Sequence, residues 1–248
     1  MIMQSIERPA APAINYGLRA TLGMMLPSVN RIAEPQINAM LPTGVSLHTT
    51  RLRLVSDSAM LSMLDRLEEA TTLLADAQPD RIIFHCTAVS MYSPEIVGEI
   101  TARVAAVTSI PLVITSEAVI AALRTLEAAK IVLVTPYVQA TNDREVRFLA
   151  HHGVDVLRER GLGIENGTGM AAVEPEQWYR EVMAQRDTSA EAYFISCTAV
   201  RSADVIEALE RDLGRPVITS NQAMLWAALR AAGIPDRLAG YGRLFRDF

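Results

Sequence analysis

Ile83-Phe84-His85-Cys86-Thr87-Ala88-Val89 and Phe194-Ile195-Ser196-Cys197-Thr198-Ala199-Val200 are near-copies of one phrase, and between them they hold both cysteines of the chain. The echo continues downstream, where Ile110-Pro111-Leu112-Val113-Ile114-Thr115-Ser116 is matched by Arg215-Pro216-Val217-Ile218-Thr219-Ser220, each followed by an Ala/Leu-rich helical stretch. Upstream, Leu22-Gly23-Met24-Met25-Leu26-Pro27 parallels Val132-Leu133-Val134-Thr135-Pro136, two apolar runs that end at a proline. One βα-rich unit of roughly 110 residues therefore occurs twice.

Around these phrases, short β-branched runs alternate with longer helical patterns. Strands are expected at 21–26, 46–51, 81–85 and 112–114, with helices at 58–75 and 95–107. The second half repeats the order, with strands at 130–135, 154–158, 191–196 and 217–219 and helices near 143–151, 176–186, 203–212 and 222–231. Apolar runs such as Ile131-Val132-Leu133-Val134 suit a parallel sheet covered on both faces, and right-handed crossovers then build an open α/β layer. The expected fold is two similar Rossmann-like α/β domains with parallel sheets, related by a pseudo-two-fold, with the active site in the cleft between them. Residues 21–128 form the first unit, 129–248 the second, and 1–20 an N-terminal extension. The last strand and helix of each unit are expected to complete the partner half's layer.

The 248 residues are 50% hydrophobic, enough for a full core, and a net charge of -5 without a Lys/Arg cluster gives no footprint for nucleic acid or an anionic membrane. No apolar run approaches the length of a membrane span. Residues 1–20 lack the apolar region of a secretory signal, so the expectation is a cytoplasmic protein with reduced thiols. His48, His85, His151 and His152 have no metal-ligand spacing with the cysteines, and the 161–167 stretch does not fit a dinucleotide loop. No metal and no cofactor are expected.

Parallel sheets place chemistry at the carboxyl ends of their strands, where Pro27, Cys86, Tyr137 and Cys197 all fall. Each cysteine precedes a Thr-Ala step suited to open a helix, whose N-terminus lowers a thiol pKa and yields a nucleophile or base. The alternative for each is a buried packing residue; two matched cysteines in a repeat favour chemistry. Asn30 either caps a helix or offers its amide to a carboxylate, with Ser28 and loop amides completing a nest. Tyr137 either donates its phenol to a substrate oxygen or leaves it in solvent. Asn166, before Gly167, reads as a turn residue from the residues alone. Arg51 and Arg53 read equally as attractants for an acid or as the solvated face of a strand.

Taken with these motifs, the chain resembles the aspartate/glutamate racemase superfamily, and within it the branch of maleate cis-trans isomerases and arylmalonate decarboxylases. Pro27-Ser28-Val29-Asn30 resembles the isomerase Pro-Ser-Ser-Asn signature. His48-Thr49-Thr50-Arg51-Leu52-Arg53 resembles its His-Ser-(Ser/Thr)-Arg-Met-Arg strand, Val134-Thr135-Pro136-Tyr137 the shared Pro-Tyr turn, and Gly240-Tyr241-Gly242-Arg243-Leu244-Phe245 the decarboxylase tail. The resemblance implies that Cys86 and Cys197 flank the substrate as catalytic residues, and that Asn166 is a substrate-binding asparagine. Arylmalonate decarboxylases keep the second cysteine and have glycine at the first; this chain has both, which points to isomerase or racemase chemistry. After the first cysteine, however, Thr87-Ala88-Val89 is similar to the racemases rather than to the Leu-Val-Ala of maleate isomerases.

The expected activity is cofactor-independent cis-trans isomerisation of a maleate-like dicarboxylate. Asn30, Pro27, Ser28, Tyr137, Asn166, Thr87, Ala88 and Thr198 are expected to hold the carboxylates. A two-cysteine racemase, an arylmalonate-type decarboxylase and a carboxylate-binding protein without turnover are the alternatives. The partner is a small carboxylate or dicarboxylate, and family analogy implies a homodimer or homotetramer.

Overall fold

The computed structural model describes residues 14–54 and 57–248. Residues 1–13 of the expected N-terminal extension lie outside the described residues. The first half runs β1 (Ala20–Pro27), α1 (Ala33–Met40), β2 (Val45–Leu52), a 3-10 helix (Asp57–Arg66), α2 (Leu67–Ala75), β3 (Arg81–Phe84), α3 (Thr87–Ser90), α4 (Ile96–Ala105), β4 (Leu112–Ile114) and α5 (Thr115–Thr125). The second half runs β5 (Lys130–Thr135), α6 (Gln139–His151), β6 (Asp155–Gly161), α7 (Gly167–Ala172), α8 (Pro175–Ala184), β7 (Ala192–Ile195), a 3-10 turn (Ala203–Val205), α9 (Ile206–Leu213), β8 (Val217–Thr219), α10 (Ser220–Ala231) and α11 (Gly242–Asp247).

The strands form two four-stranded sheets of identical order, β2-β1-β3-β4 and β6-β5-β7-β8, with every pairing parallel. Alternation along the strands sorts the core into three layers. Ile83, Ile131, Leu133 and Phe194 face a central core between the sheets, which also holds Val119 and Leu123 of α5 and Met224 and Leu225 of α10. Ile82 and Phe84 turn the other way, onto α2 and α4; Val132, Val134, Tyr193 and Ile195 turn onto α8 and α9. Each fully buried aliphatic side chain in these layers stabilises the fold by roughly 1.5–3 kcal/mol, and on β1 the side chains of Leu22, Met24, Met25 and Leu26 are all fully buried.

The sequence-based expectations need correction in three places. The single helix expected at 58–75 is a 3-10 helix as far as Arg66 and an α-helix only from Leu67. Met60 and Met63, like Leu64 and Leu67, are buried three residues apart, and i,i+3 side chains eclipse on one face of a 3-10 helix. The helix expected after Cys197 is absent, its place taken by a turn before the 3-10 segment at Ala203. The strands do not exchange: β4 pairs with β3, and β8 with β7. Each closing strand is registered on its own sheet, and the contact between the halves is led by helices. There α10 packs on α5 and reaches β3 and β4 of the first sheet, while α5 reaches β8 of the second.

Candidate active site

In each sheet the chain leaves the first strand in one direction for its second and in the other for its third. The β1/β3 and β5/β7 junctions are therefore topological switch points, where open parallel sheets bind ligands beyond the strand ends. Pro27 and Cys86 stand at the first junction, Tyr137 and Cys197 at the second. The two junctions converge on one cleft of about 500 Å³, open mouth included, lined by Pro27, Val29, Asn30, Leu54, Met60, Cys86, Ala88, Val89, Tyr137, Gly167, Met170, Cys197, Thr198 and Ala199. Both cysteines are buried and neither forms a disulfide. Cys86 belongs to the apolar cluster of the first half, with Phe84 and Val89, and Cys197 to that of the second, with Tyr137 and Met170; the cleft is where both clusters open.

The two sulfurs sit in unlike settings. Cys86 has extended backbone (φ -154°, ψ 109°) and is the residue from which α3 starts; Ser90 N donates back to Cys86 O at 3.0 Å, closing the first turn. Cys197 has φ +100°, a left-handed conformation that a side chain at this position makes costly. It is held there by its own N–H, which donates to Ser220 Oγ at 3.1 Å, and by the amide of Ala199, which donates to the Cys197 sulfur at 3.3 Å.

Tyr137 is buried and placed by backbone bonds: its N–H donates to Thr135 Oγ1 at 3.1 Å and its carbonyl accepts from Gly163 N at 3.0 Å. Gly161, at the end of β6, passes so close that an added Cβ would lie 2.6 Å from the Tyr137 carbonyl oxygen. Asn30, also buried, does two jobs: Oδ1 accepts from Ile32 N and Ala33 N at 2.9 and 3.0 Å, and Nδ2 donates to Thr198 Oγ1 at 2.9 Å. Asn30 thus ties the first junction to the second. Gly167 brings α7 against Val29, whose Cγ2 would sit 3.2 Å from an added Cβ.

Other expected site residues lie elsewhere. Ser28 is exposed and does not line the cleft; its Oγ accepts from Leu54 N at 3.2 Å, which fixes the turn after β2. Asn166 is exposed and caps α7, its Oδ1 accepting from Gly169 N at 2.9 Å. The hydroxyl of Thr87 is turned to Ser220 Oγ at 2.8 Å, while Ala88 beside it lines the cleft. Arg51 faces away from the cavity, paired with Glu34 and donating to the Asn30 carbonyl at 2.5 Å. The apolar walls Leu54, Met60 and Met170 gave no signal in the sequence, because a lone Met or Leu near a strand end reads as core. Met170 Sδ lies 3.9 Å from the Cys197 sulfur.

Burial decides the electrostatics. It pushes the Cys197 thiol up to about 12 against the Tyr137 hydroxyl and the Ala199 amide, which both donate to the sulfur; nearby Cys86 and Glu145 add to the rise. The Tyr137 phenol is pushed well above its ordinary value, first by burial and then by Cys197 and Glu145. Beneath them, Glu145 of α6 is fully buried and accepts from Ser196 Oγ at 3.0 Å; burial raises its carboxyl to about 8. This corner holds its acids in their neutral forms. None of the lining residues is a lysine, arginine or histidine. Among the described residues no group of three or more His, Cys, Asp or Glu side chains is placed to hold a metal ion, and no helix is long and apolar enough to cross a membrane.

Known proteins share this arrangement. A maleate isomerase of Nocardia farcinica is 29% identical over 239 residues, 91% of this chain and 95% of that protein. An arylmalonate decarboxylase of Bordetella bronchiseptica is 34% identical over 145 residues, 56% of this chain and 60% of that protein. The solved structure of a cysteine-to-serine mutant of the Nocardia farcinica maleate cis-trans isomerase, with a covalently bound succinylcysteine intermediate, matches with a TM-score of 0.87 at 25% identity, covering 92% of this chain and 99% of that one. The family profile described as arylmalonate decarboxylase matches residues 22–245, from the first apolar strand to the last helix and across both cysteines: the chain belongs to the arylmalonate decarboxylase family.

Proposed function

We propose that this protein catalyses cofactor-independent cis-trans isomerisation of a maleate-like unsaturated dicarboxylate. The observation that carries the reading is a pair of cysteines on one cleft in unlike settings, one at a helix start and one a high-pKa thiol beneath a tyrosine. A nucleophile and an acid need unlike settings; two interchangeable bases of a racemase would need similar ones.

In this scheme the Cys86 thiolate adds to one alkene carbon, forming a C–S bond while the π pair moves onto the neighbouring carbon and its carboxylate. The Cys197 thiol protonates that carbon, and the resulting single bond rotates. The Cys197 thiolate then takes the proton back, the C–S bond breaks, and the trans alkene leaves. Asn30, Thr198 and the amides around Thr87 and Ala88 hold the carboxylates and offset the charge that develops on them, while the Tyr137 phenol donates to the Cys197 sulfur. The succinylcysteine intermediate of the Nocardia farcinica relative supports an adduct of this type.

Separate incubations with maleate, with amino and hydroxy acids and with an arylmalonate in deuterated buffer, followed by NMR, test the reading. Fumarate is expected. No fumarate, with α-deuterium entering an amino or hydroxy acid without net change, would replace isomerisation by racemisation. The apolar lining and the Bordetella bronchiseptica relative favour a second reading, decarboxylation of an arylmalonate, which the same spectra detect as loss of carbon dioxide.

A further inference from the structure

Both cysteine loops hang from the first two residues of α10. Ser220 and Asn221 are fully buried and do not line the cleft. Ser220 Oγ accepts from the Thr87 hydroxyl at 2.8 Å and from Cys197 N at 3.1 Å. Asn221 Nδ2 donates to the Thr198 carbonyl at 3.3 Å and to Gln36 Oε1 at 3.1 Å; its Oδ1 lies 2.9 Å from His85 Nε2. The neighbours of Cys86 on either side, Cys197 itself and Thr198 are thus fixed to two adjacent residues of one helix.

The orientations of Gln36 and Asn221 follow from their partners. Gln36 Nε2 donates to the Val200 carbonyl at 2.7 Å, so its Oε1 faces Asn221 Nδ2. The Asn221 oxygen therefore faces His85, whose Nε2 must carry the proton. Burial lowers the His85 pKa to about 4, so the ring is neutral; its Nδ1 lies 2.9 Å from Thr115 Oγ1, which also lies 3.0 Å from the Phe84 carbonyl oxygen. The helix is itself immobilised: Thr219 and Gln222 form a capping box, and Gln222 Nε2 donates to the Tyr241 carbonyl at 2.5 Å. The repeat supplies Ser116 at the matching place in α5, but its hydroxyl has no hydrogen-bond partner in the structure. The clamp is built on one half of the repeat alone.

We propose that Ser220 and Asn221 are positioning residues that set the separation of the two cysteine sulfurs without touching substrate. This rests on the reading in which both cysteines act on one small acid. A misplacement of about 1 Å in a catalytic pair costs up to roughly 100-fold in rate, and these two adjacent side chains bond to both loops.

Dibromoacetone measures the separation directly. Each sulfur, after losing its proton, displaces one bromide, so two thiols within a three-carbon span become one bridged product that intact-protein mass spectrometry separates from single alkylation. The wild type is expected to bridge. In Ser220→Ala and in Asn221→Leu the bridged fraction and the kcat for maleate should each fall roughly tenfold or more, with KM within about threefold and circular dichroism unchanged. A residue serving only stability would instead lower the melting temperature and leave kcat and bridging of the folded protein intact. A wild type that does not bridge, or bridging and kcat at wild-type levels in either folded variant, would overturn the clamp. Bridging that is present in the wild type and lost in the variants, with no turnover of maleate by any of them, would uphold the clamp and refute the proposed reaction.

Discussion

Replacing Tyr137 by phenylalanine isolates one hydrogen bond on which the proposed acid role of Cys197 depends. The phenol donates to the Cys197 sulfur and is the largest influence opposing the burial that takes that thiol to about 12. Held that far above its ordinary value by burial, the thiol stays protonated near neutral pH, so Cys197 rests as a proton donor. Giving up its proton creates a buried thiolate that the phenol must stabilise. A hydrogen bond to a charged group contributes roughly 1.5–3 kcal/mol, which corresponds to about one to two further units on the thiol and a roughly 10- to 100-fold lower kcat if proton transfer from Cys197 limits turnover. Two assays bear on this: kcat by NMR with maleate, and the pH dependence of alkylation at Cys197 in a Cys86→Ala background. The variant should lose rate, and its alkylation profile should move to higher pH by the same free energy. A kcat within twofold of wild type, with an unmoved alkylation profile, would refute the reasoning, because the phenol would then have no part in stabilising the thiolate.

The strained backbone at Cys197 gives a second prediction. A side chain at φ +100° costs roughly 1–3 kcal/mol, and glycine's extra freedom in the unfolded chain gives back about 0.4–1 kcal/mol, so Cys197→Gly should be about 1 kcal/mol more stable than Cys197→Ala in urea titrations; the opposite order would exclude strain. Glu145, with a folded pKa raised to about 8, binds an extra proton when folded. Its contribution is therefore fully present below the ordinary carboxylate pKa and is lost as pH rises to about 8. At roughly 1.36 kcal/mol per unit, Glu145→Gln should remove a decline of order a few kcal/mol between acid and mildly alkaline pH; parallel stability curves for the two proteins would contradict this. His85 has the opposite sign. Its folded pKa is lowered to about 4, so the stability it contributes is present above its ordinary value near 6.5 and is lost as pH falls toward 4. His85→Gln should flatten acid unfolding in that window, and an unchanged acid limb would argue against a buried neutral imidazole.

The fold was legible because its sheets are parallel and covered on both sides: Ile131-Val132-Leu133-Val134 serves two cores at once, and only an uninterrupted apolar run does that. Duplication then located the strand ends that carry the cysteines. Conformation after those strands was not legible. The words Cys-Thr-Ala-Val occur at both places, yet one opens α3 and the other makes a left-handed turn, because Ser220 draws the Cys197 amide toward α10. Ser28 and Asn166 show the limit of motif reading. Both are short polar residues in segments that follow strands, and each spends its oxygen on a backbone N–H, as such residues do in turns and caps. Ser220 was in view as part of the Ile-Thr-Ser echo. Nothing in the sequence said that one Ser of the pair bonds to both loops and the other to neither.

The neutral corner around Cys197 bears on how the proposed dianionic substrate would be held where none of the described lining residues is cationic. If Glu145 were ionised, its charge would add to that of the substrate and raise both Cys197 and Tyr137 further. Kept protonated by burial, it leaves the bound carboxylates as the local negative charge, opposed by hydrogen-bond donors. The same charge would raise the Cys197 thiol further, because a nearby anion disfavours a second one, so binding of such a substrate would reinforce the proton-donor state that the first half of the proposed reaction needs. The return of the proton comes only after that thiol has ionised, when the Tyr137 hydroxyl and the Ala199 amide both donate to the sulfur. A corner of neutral acids with two fixed donors is thus suited to a thiol that gives up its proton briefly and recovers it, and poorly suited to one that rests as a base.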